Sequence, residues 1–316
     1  MTDIIYLDRT TKREEKEKVY GEFFIKELYG NGVLPRFLSF LLVHFFSRIH
    51  FFSRLYGAFQ KSAMSRFKIK PFIQGYQIDA SEFLDPVESF SSFNDFFIRK
   101  LKPGCRPIEA HEDVAVLPAD GRYLVFPTID EAEGFWVKGK KFSLSELLDD
   151  DALAKRYEKG AMVIARLCPV DYHRFHFPCD CIPETARLIN GPLFSVNPIA
   201  LKRNIDILSE NKRMITALKT TNFGDVQYIE VGATYVGSIV ETYSSGKSYM
   251  KGEEKGYFSF GGSCLILLFE PNRIIFDQDL ITTSAKKMEV RGLLGQSLGK
   301  RKDYASFSAT SRISNP

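Results

Sequence analysis

Ser263 follows two glycines in Phe258-Ser-Phe-Gly-Gly-Ser-Cys-Leu-Ile-Leu-Leu-Phe269, directly ahead of an apolar run. A Gly-Ser bond held in a strained turn leaves the serine hydroxyl free to attack the carbonyl before it, because glycine carries no side chain to block the approach. The bond attacked would be the chain's own. By itself the segment also reads as a Gly-rich hairpin turn before a buried strand. Two upstream segments supply the other parts of a nucleophilic triad: Asp120 in Pro118-Ala-Asp-Gly121, and His173 and His176 in Tyr172-His-Arg-Phe-His-Phe-Pro178. In such a set the carboxylate orients the imidazole and the imidazole takes the hydroxyl proton. Each segment alone is a weak signal, since Asp-Gly is a common turn and a strand histidine is commonly structural. In a straight strand His173 and His176 point to opposite faces, so a single one of them serves as the base.

Zinc competes for the same histidines. Cys168, His173, His176, Cys179 and Cys181 fall within fourteen residues. However, His-x2-His and Cys-x-Cys lack the usual finger spacing and no second ligand pair follows, so no metal is expected.

The elements that must position these groups can be read from patterning. Strands are expected at Arg122 to Pro127, Ala161 to Arg166, His173 to Phe177, Val226 to Val231, Ser238 to Thr242 and Leu265 to Phe269. Helices are expected at Ser92 to Lys100, where Ser92 and Asp95 form a capping box, at Ser143 to Leu148 and around Leu201 to Leu208. Strands with few long helices, and no regular helix-strand alternation, indicate an α+β fold with an antiparallel-rich β core. Residues 11–29 carry helical spacing of apolar residues behind a Thr11 and Glu14 capping box. Val33 to Tyr56 is dense in Phe, Leu, Ile and Val but is interrupted by His44, Arg48, His50 and Arg54. No run there reaches the roughly 20 residues that span a bilayer, so a helix lying in the membrane plane is expected, with a buried helix of an ordinary core as the alternative. Three regions result: an N-terminal helical membrane-associating region at 1–80, a catalytic domain at 81–300 and a polar tail at 301–316.

The chain has 316 residues, 44% hydrophobic and 26% charged, enough for a substantial core. Its 43 basic and 39 acidic residues leave a net charge of +4, which argues against an extended nucleic-acid footprint. The charge is unevenly placed. No acid lies between Glu27 and Asp79, while Arg36, Arg48, Arg54, Lys61, Arg66, Lys68 and Lys70 do, which suits an anionic lipid surface. Five cysteines, an odd count, read as reduced thiols, and the opening residues match neither a signal nor a transit peptide. Synthesis in a bacterial-type cytoplasm is the expectation.

Together these segments resemble the phosphatidylserine decarboxylases, pyruvoyl-dependent membrane enzymes that make phosphatidylethanolamine. The likeness extends to Asn94-Asp-Phe-Phe-Ile-Arg-Lys-Leu-Lys-Pro-Gly104, Arg106-Pro-Ile108, Ser195-Val-Asn-Pro198, Glu210-Asn-Lys-Arg213, Val231-Gly-Ala-Thr-Tyr-Val-Gly-Ser-Ile239 and Lys251-Gly-Glu-Glu-Lys-Gly-Tyr-Phe258. The resemblance implies that Asp120 orients His176, that His176 deprotonates Ser263 and that the Ser263 oxygen attacks the Gly262 carbonyl. Elimination from the resulting ester would free the Gly262 carboxyl end and leave a dehydroalanine, which becomes a pyruvoyl group as ammonia departs. The cofactor, a covalent pyruvate, would thus be made from Ser263. A large chain, 1–262, and a small chain, 263–316, would stay associated. The substrate phosphatidylserine would then lose carbon dioxide through a Schiff base with the pyruvoyl group, with His173 as the substrate-binding residue that positions the departing carboxylate, Tyr172 as a lesser substrate-binding candidate and His176 as proton donor to the new carbon. A homodimer peripheral to the cytoplasmic side of the cell membrane is implied as well. One departure is Cys264, where the family often has Thr, which bears on how the turn is supported. Two rivals stand beside this reading, the first using the same Asp120, His176 and Ser263 on an external substrate. A serine hydrolase would lack its Gly-x-Ser-x-Gly elbow, and a non-catalytic membrane scaffold would leave the chain intact.

Overall fold

The computed structural model describes residues 4–18, 57–132, 143–201, 204, 206–233, 239–261 and 263–302. Numbered in chain order, the strands among them are β1 (Ile5–Asp8), β2 (Arg13–Lys16), β3 (Val114–Val116), β4 (Gly121–Phe126), β5 (Ala161–Leu167), β6 (Arg174–His176), β7 (Cys181–Pro183), β8 (Arg187–Ile189), β9 (Arg213–Thr220), β10 (Asp225–Gly232), β11 (Ile239–Glu241), β12 (Glu254–Phe258), β13 (Ser263–Phe269), β14 (Ile274–Phe276), β15 (Glu289–Gly292) and β16 (Ser297–Arg301). Ten of them form one sheet in the order β2-β1-β15-β4-β5-β13-β10-β9-β7, with β8 also paired to β9. Two three-stranded sheets, β11-β12-β6 and β14-β16-β3, complete the β structure. Every described ladder is antiparallel except β1 on β15, so the expected antiparallel-rich α+β core is what forms.

The centre of the large sheet is covered on both faces, and its strands are accordingly apolar at nearly every position. Along β13, Leu265, Leu267 and Phe269 join a core shared with the two small sheets, through Phe175, Phe177, Phe258 and Phe276. Cys264, Ile266 and Leu268 enter a second core on the opposite face, under the helices Leu144–Leu148, Asp151–Tyr157, Pro198–Leu201 and Ile207–Glu210. A third cluster is almost entirely aromatic: Phe72, Phe83, Phe90, Phe93, Phe96, Phe97 and Phe260 pack around the helices Ile69–Tyr76 and Phe93–Phe97.

The six strands expected from patterning all form, within a residue or two of the expected limits. The helix expected from residue 11 does not. Arg13–Lys16 is a strand, and Thr11 sits in the tight turn between β1 and β2, where Asp8 Oδ1 accepts the N–H groups of Thr10 (2.9 Å) and Thr11 (2.8 Å). Lys12 takes a left-handed φ of 58° in that turn, so the local hydrogen bonds of Asp8 outweigh the capping-box pattern. The rest of that expected helix, and the apolar window 33–56, lie outside the described residues. No helix among those described is long and apolar enough to cross a membrane. Around Leu201 to Leu208 two short helices, Pro198–Leu201 and Ile207–Glu210, take the place of a single one.

Candidate active site

Ser263 opens β13 and is fully buried between β5 and β10, opposite Leu167 on one side and Gly232 on the other. Strand alternation turns its side chain toward the face of Leu265 and Leu267 and that of Cys264 toward the other core. Cys264 therefore packs away from the serine hydroxyl; burial pushes its thiol up to about 12, leaving it neutral. Gly261, at φ +142°, holds a backbone conformation that side chains rarely adopt. Gly262 lies outside the described residues. Asn211 secures the neighbouring strand: its Nδ2 donates to Gly232 O at 2.8 Å, and its amide exchanges hydrogen bonds with the backbone of Phe194.

The imidazole against Ser263 is that of His173, whose Nδ1 lies 3.4 Å from the serine Oγ. Its Nε2 lies 2.9 Å from Cys168 O. A carbonyl only accepts, so Nε2 carries the proton and Nδ1 presents a lone pair to the hydroxyl. Burial, reinforced by the nearby Arg99 guanidinium, depresses His173 to about 3 although the Cys168 hydrogen bond opposes the shift. The ring stacks on Phe97 with centroids 3.8 Å apart. Phe97 is placed by the helix Phe93–Phe97, whose Ser92 cap accepts from Asp95 N at 3.1 Å. Asn94 Oδ1 in that helix accepts Phe260 N at 2.9 Å, which pins the chain three residues before Ser263.

His176 lies on β6, the edge of a small sheet. Its Nδ1 is 2.9 Å from Gly252 O, so by the same logic Nε2 holds the lone pair, and this buried atom has no partner among the described residues. Burial lowers its basicity, while the Gly252 hydrogen bond, Glu254 and Asp120 work against the loss. The Tyr172 ring lies 5.8 Å from the His176 ring. Asp120 is gripped by Arg106, from Nε at 3.0 Å and Nη2 at 2.7 Å, and accepts Leu294 N at 2.9 Å.

Ser263 and His173 are thus in contact. No hydrogen bond among the described residues joins Asp120 to His176 or His176 to Ser263. The fixed, forked charge of Arg106 outcompetes a neutral imidazole for the carboxylate, and Asp120 acts on His176 through its field. Arg106 and Asn94 stand in segments the sequence singled out, without a role that could be read there. Arg99 is buried beside Val170 O and Asp171 O, at 3.3 and 3.2 Å, and only the fold brings it to the histidine. The zinc alternative finds no support in the geometry: Cys179 and Cys181 sit in the apolar core, and among the described residues no three His, Cys, Asp or Glu side chains gather around a common point.

The family model of phosphatidylserine decarboxylase matches residues 93–300, from the Ser92-capped helix through Ser263 to β16. The chain belongs to the phosphatidylserine decarboxylase family. It is 50% identical over 296 residues to the phosphatidylserine decarboxylase proenzyme of Chlamydia pneumoniae, covering 93% of this chain and 96% of that one. It is 51% identical over 304 residues to the proenzyme of Chlamydia muridarum (95% and 98% covered), and 48% over 303 residues to that of Chlamydia trachomatis serovar L2 (95% and 98%). The decarboxylase segment contains Asp120, His173, His176 and Ser263, whereas β1 and β2 precede it.

Proposed function

We propose that the chain decarboxylates phosphatidylserine to phosphatidylethanolamine, as a carboxy-lyase that matures by cutting itself between Gly262 and Ser263. The observation that carries this reading is a fully buried serine, directly after two glycines, with its hydroxyl on an imidazole lone pair, in a chain about half identical to decarboxylase proenzymes.

In maturation the Ser263 oxygen bonds to the Gly262 carbonyl carbon as the peptide C–N bond breaks, giving an ester and a free amine. Loss of the Ser263 α-proton then expels the ester as the Gly262 carboxylate. The remaining enamine hydrolyses to a pyruvoyl group and ammonia. His176 is the proposed base. It has an open Nε2 lone pair, and Asp120 and Glu254 support its basicity, whereas His173, at about 3, is too weak to hold a proton for long. His173 holds the hydroxyl in place for attack.

The site suits the group it would form, because Ser263 at the start of β13 is fully buried and the His173 ring beside it stacks on Phe97, which packs on Phe260. The pyruvoyl group supplies a ketone that takes up the substrate amine and accepts the electron pair released with carbon dioxide. The residues around it handle protons. Maturation removes the hydroxyl that His173 Nδ1 faces, and the freed lone pair suits the ammonium of the incoming serine headgroup better than its carboxylate. His176 returns a proton to the new carbon, and Tyr172, its ring 5.8 Å from that of His176, is the further substrate-binding residue. The greasy, basic segment before residue 80 supports docking on anionic lipid, at the cytoplasmic side of the cell membrane, with a homodimer as the assembly.

Intact mass of the purified protein beside its Ser263→Ala variant tests the reading. The natural chain should yield a fragment of about 6 kDa, the share of residues 263–316 in 36.1 kDa, and the variant should not. A single uncleaved mass in a preparation that decarboxylates phosphatidylserine would overturn it.

A further inference from the structure

A buried charge network runs from the amino-terminal arm to Ser263. Glu17, just past β2, is 8% exposed, and its carboxylate accepts from Arg166 Nη1 (3.1 Å) and Nη2 (2.6 Å) and lies 3.2 Å from Arg122 Nε. Arg122 pairs with Asp171, and Asp171 Oδ2 accepts the Cys168 N–H at 2.7 Å. Cys168 O in turn holds His173 Nε2, and His173 Nδ1 faces the Ser263 hydroxyl. Each link joins buried groups, from the start of the chain to the nucleophile.

Glu17 has a specific task in this network. Arg122 and Arg166 are direct cross-strand partners on β4 and β5. Two like charges in that relation repel. Asp171 neutralises one and Glu289 the other, with Glu289 Oε2 at 2.6 Å from Arg166 Nη2, but Glu17 alone bridges the two among the described residues. Without it the guanidiniums would separate, and Arg122 would carry Asp171, the Cys168 turn and the His173 ring with it. The arm that brings Glu17 is itself docked by ion pairs, Arg9 to Asp277 (2.6 Å) and Asp279 (2.9 Å), and Asp8 to Arg291 (2.6 Å).

We infer that Glu17 is a positioning residue for His173, so that the amino-terminal arm completes the active site and self-cleavage reaches full rate only with the arm in place. The inference rests on Ser263 being the cleaved residue. The test follows the appearance of the small fragment in the full-length natural chain, Glu17→Gln, Glu17→Asp and Ser263→Ala, together with the thermal midpoint of each. Glu17→Gln keeps shape and loses charge, and it should cleave about three- to tenfold more slowly, since a misplaced His173 costs no more than its removal. Glu17→Asp should recover part of the rate. In 15N-histidine spectra of the Ser263→Ala chain, adding Glu17→Gln should move the His173 ring signals and leave those of His111, at the far end of Lys251, unchanged. If Glu17→Gln fails to fold, Arg166→Lys keeps the charge but loses the fork and should show the same slowing. Cleavage at the natural rate in whichever variant folds, or unmoved His173 signals, would overturn the inference while leaving Ser263 as the cleaved residue. A natural chain that never cleaves would instead overturn the reading on which it rests.

Discussion

At the scale of single residues, the two histidines three positions apart have opposite prospects. His173 touches the serine but is held near 3 by burial, while His176 keeps an Nε2 lone pair with no partner among the described residues, in the field of Asp120 and Glu254. This difference predicts a separation of function. His176→Ala should slow self-cleavage by at least about a hundredfold, the usual worth of a positioned base. His173→Ala should cleave within about tenfold of the natural rate and then lose most of its turnover, because the substrate ammonium finds no acceptor. Fragment formation by mass, scored separately from carbon dioxide release, checks both, and the reverse pattern would exchange the two roles. The sequence made the choice between these histidines visible without deciding it, because strand periodicity says only that they diverge. It could not reveal that Arg106 captures Asp120, since that pairing depends on a contact across fourteen residues of turn and strand.

At the scale of elements, the approach to the proposed cleavage site is set by β12. Gly256 on that strand lies so close to its neighbours that an added Cβ would meet Val240 O at 2.3 Å and the Phe175 ring at 2.8 Å. Gly256→Ala should therefore destabilise the β11-β12-β6 sheet by about 1–3 kcal/mol, as overpacked sites do. It should also slow cleavage more than it lowers stability, because β6 carries His176 and β12 leads through Phe258 to Ser263. Thermal unfolding together with the cleavage time course measures both. Phe97→Ala removes the ring stacked on His173 and should cost about 3–5 kcal/mol, seen as a lowered denaturant midpoint of the Ser263→Ala chain. The strands nearest the site were legible in the sequence because both their faces are buried, which leaves long Val, Ile and Leu runs. β3, β7, β8 and β14 carry three residues each, near the limit at which a period registers, and of the strands that short β6 and β11 alone were anticipated. The turn at Thr11 was misread as a helix start because Asp8, which bonds to it, precedes the capping pattern.

At the scale of the molecule, buried ionisable groups set the behaviour in acid. Burial alone would raise the Glu17 carboxyl, but the Arg166 and Arg122 guanidiniums reverse this and hold it at about 2, below its ordinary 4.5. Its stabilisation is present above pH 4.5 and is lost as pH falls from there toward 2. His173 works in the same direction for the opposite reason. It is buried neutral, so the unfolded chain gains a proton below pH 6.5 that the folded chain refuses down to about 3. Stability of the Ser263→Ala chain should fall from about pH 6.5 downward and more steeply below 4.5, and Glu17→Gln should flatten the lower part; thermal midpoints across that range check it.

By itself the sequence determined the antiparallel-rich core and the family, and it pointed to Ser263 as the proposed nucleophile and to the bond beside it. These follow from contiguous residues: a Gly-Gly-Ser turn before an apolar strand, and motifs that carry their own spacing. The tertiary structure alone decided which imidazole meets Ser263, that Arg106 and not His176 holds Asp120, and that Cys264 faces the far core. It also brought Glu17, some 246 positions before Ser263 in sequence, into the same buried network. Such pairings are set by which strands lie side by side and which arm closes over them, and the energy that selects them comes from burial and charge neutralisation across distant segments, which no local pattern records.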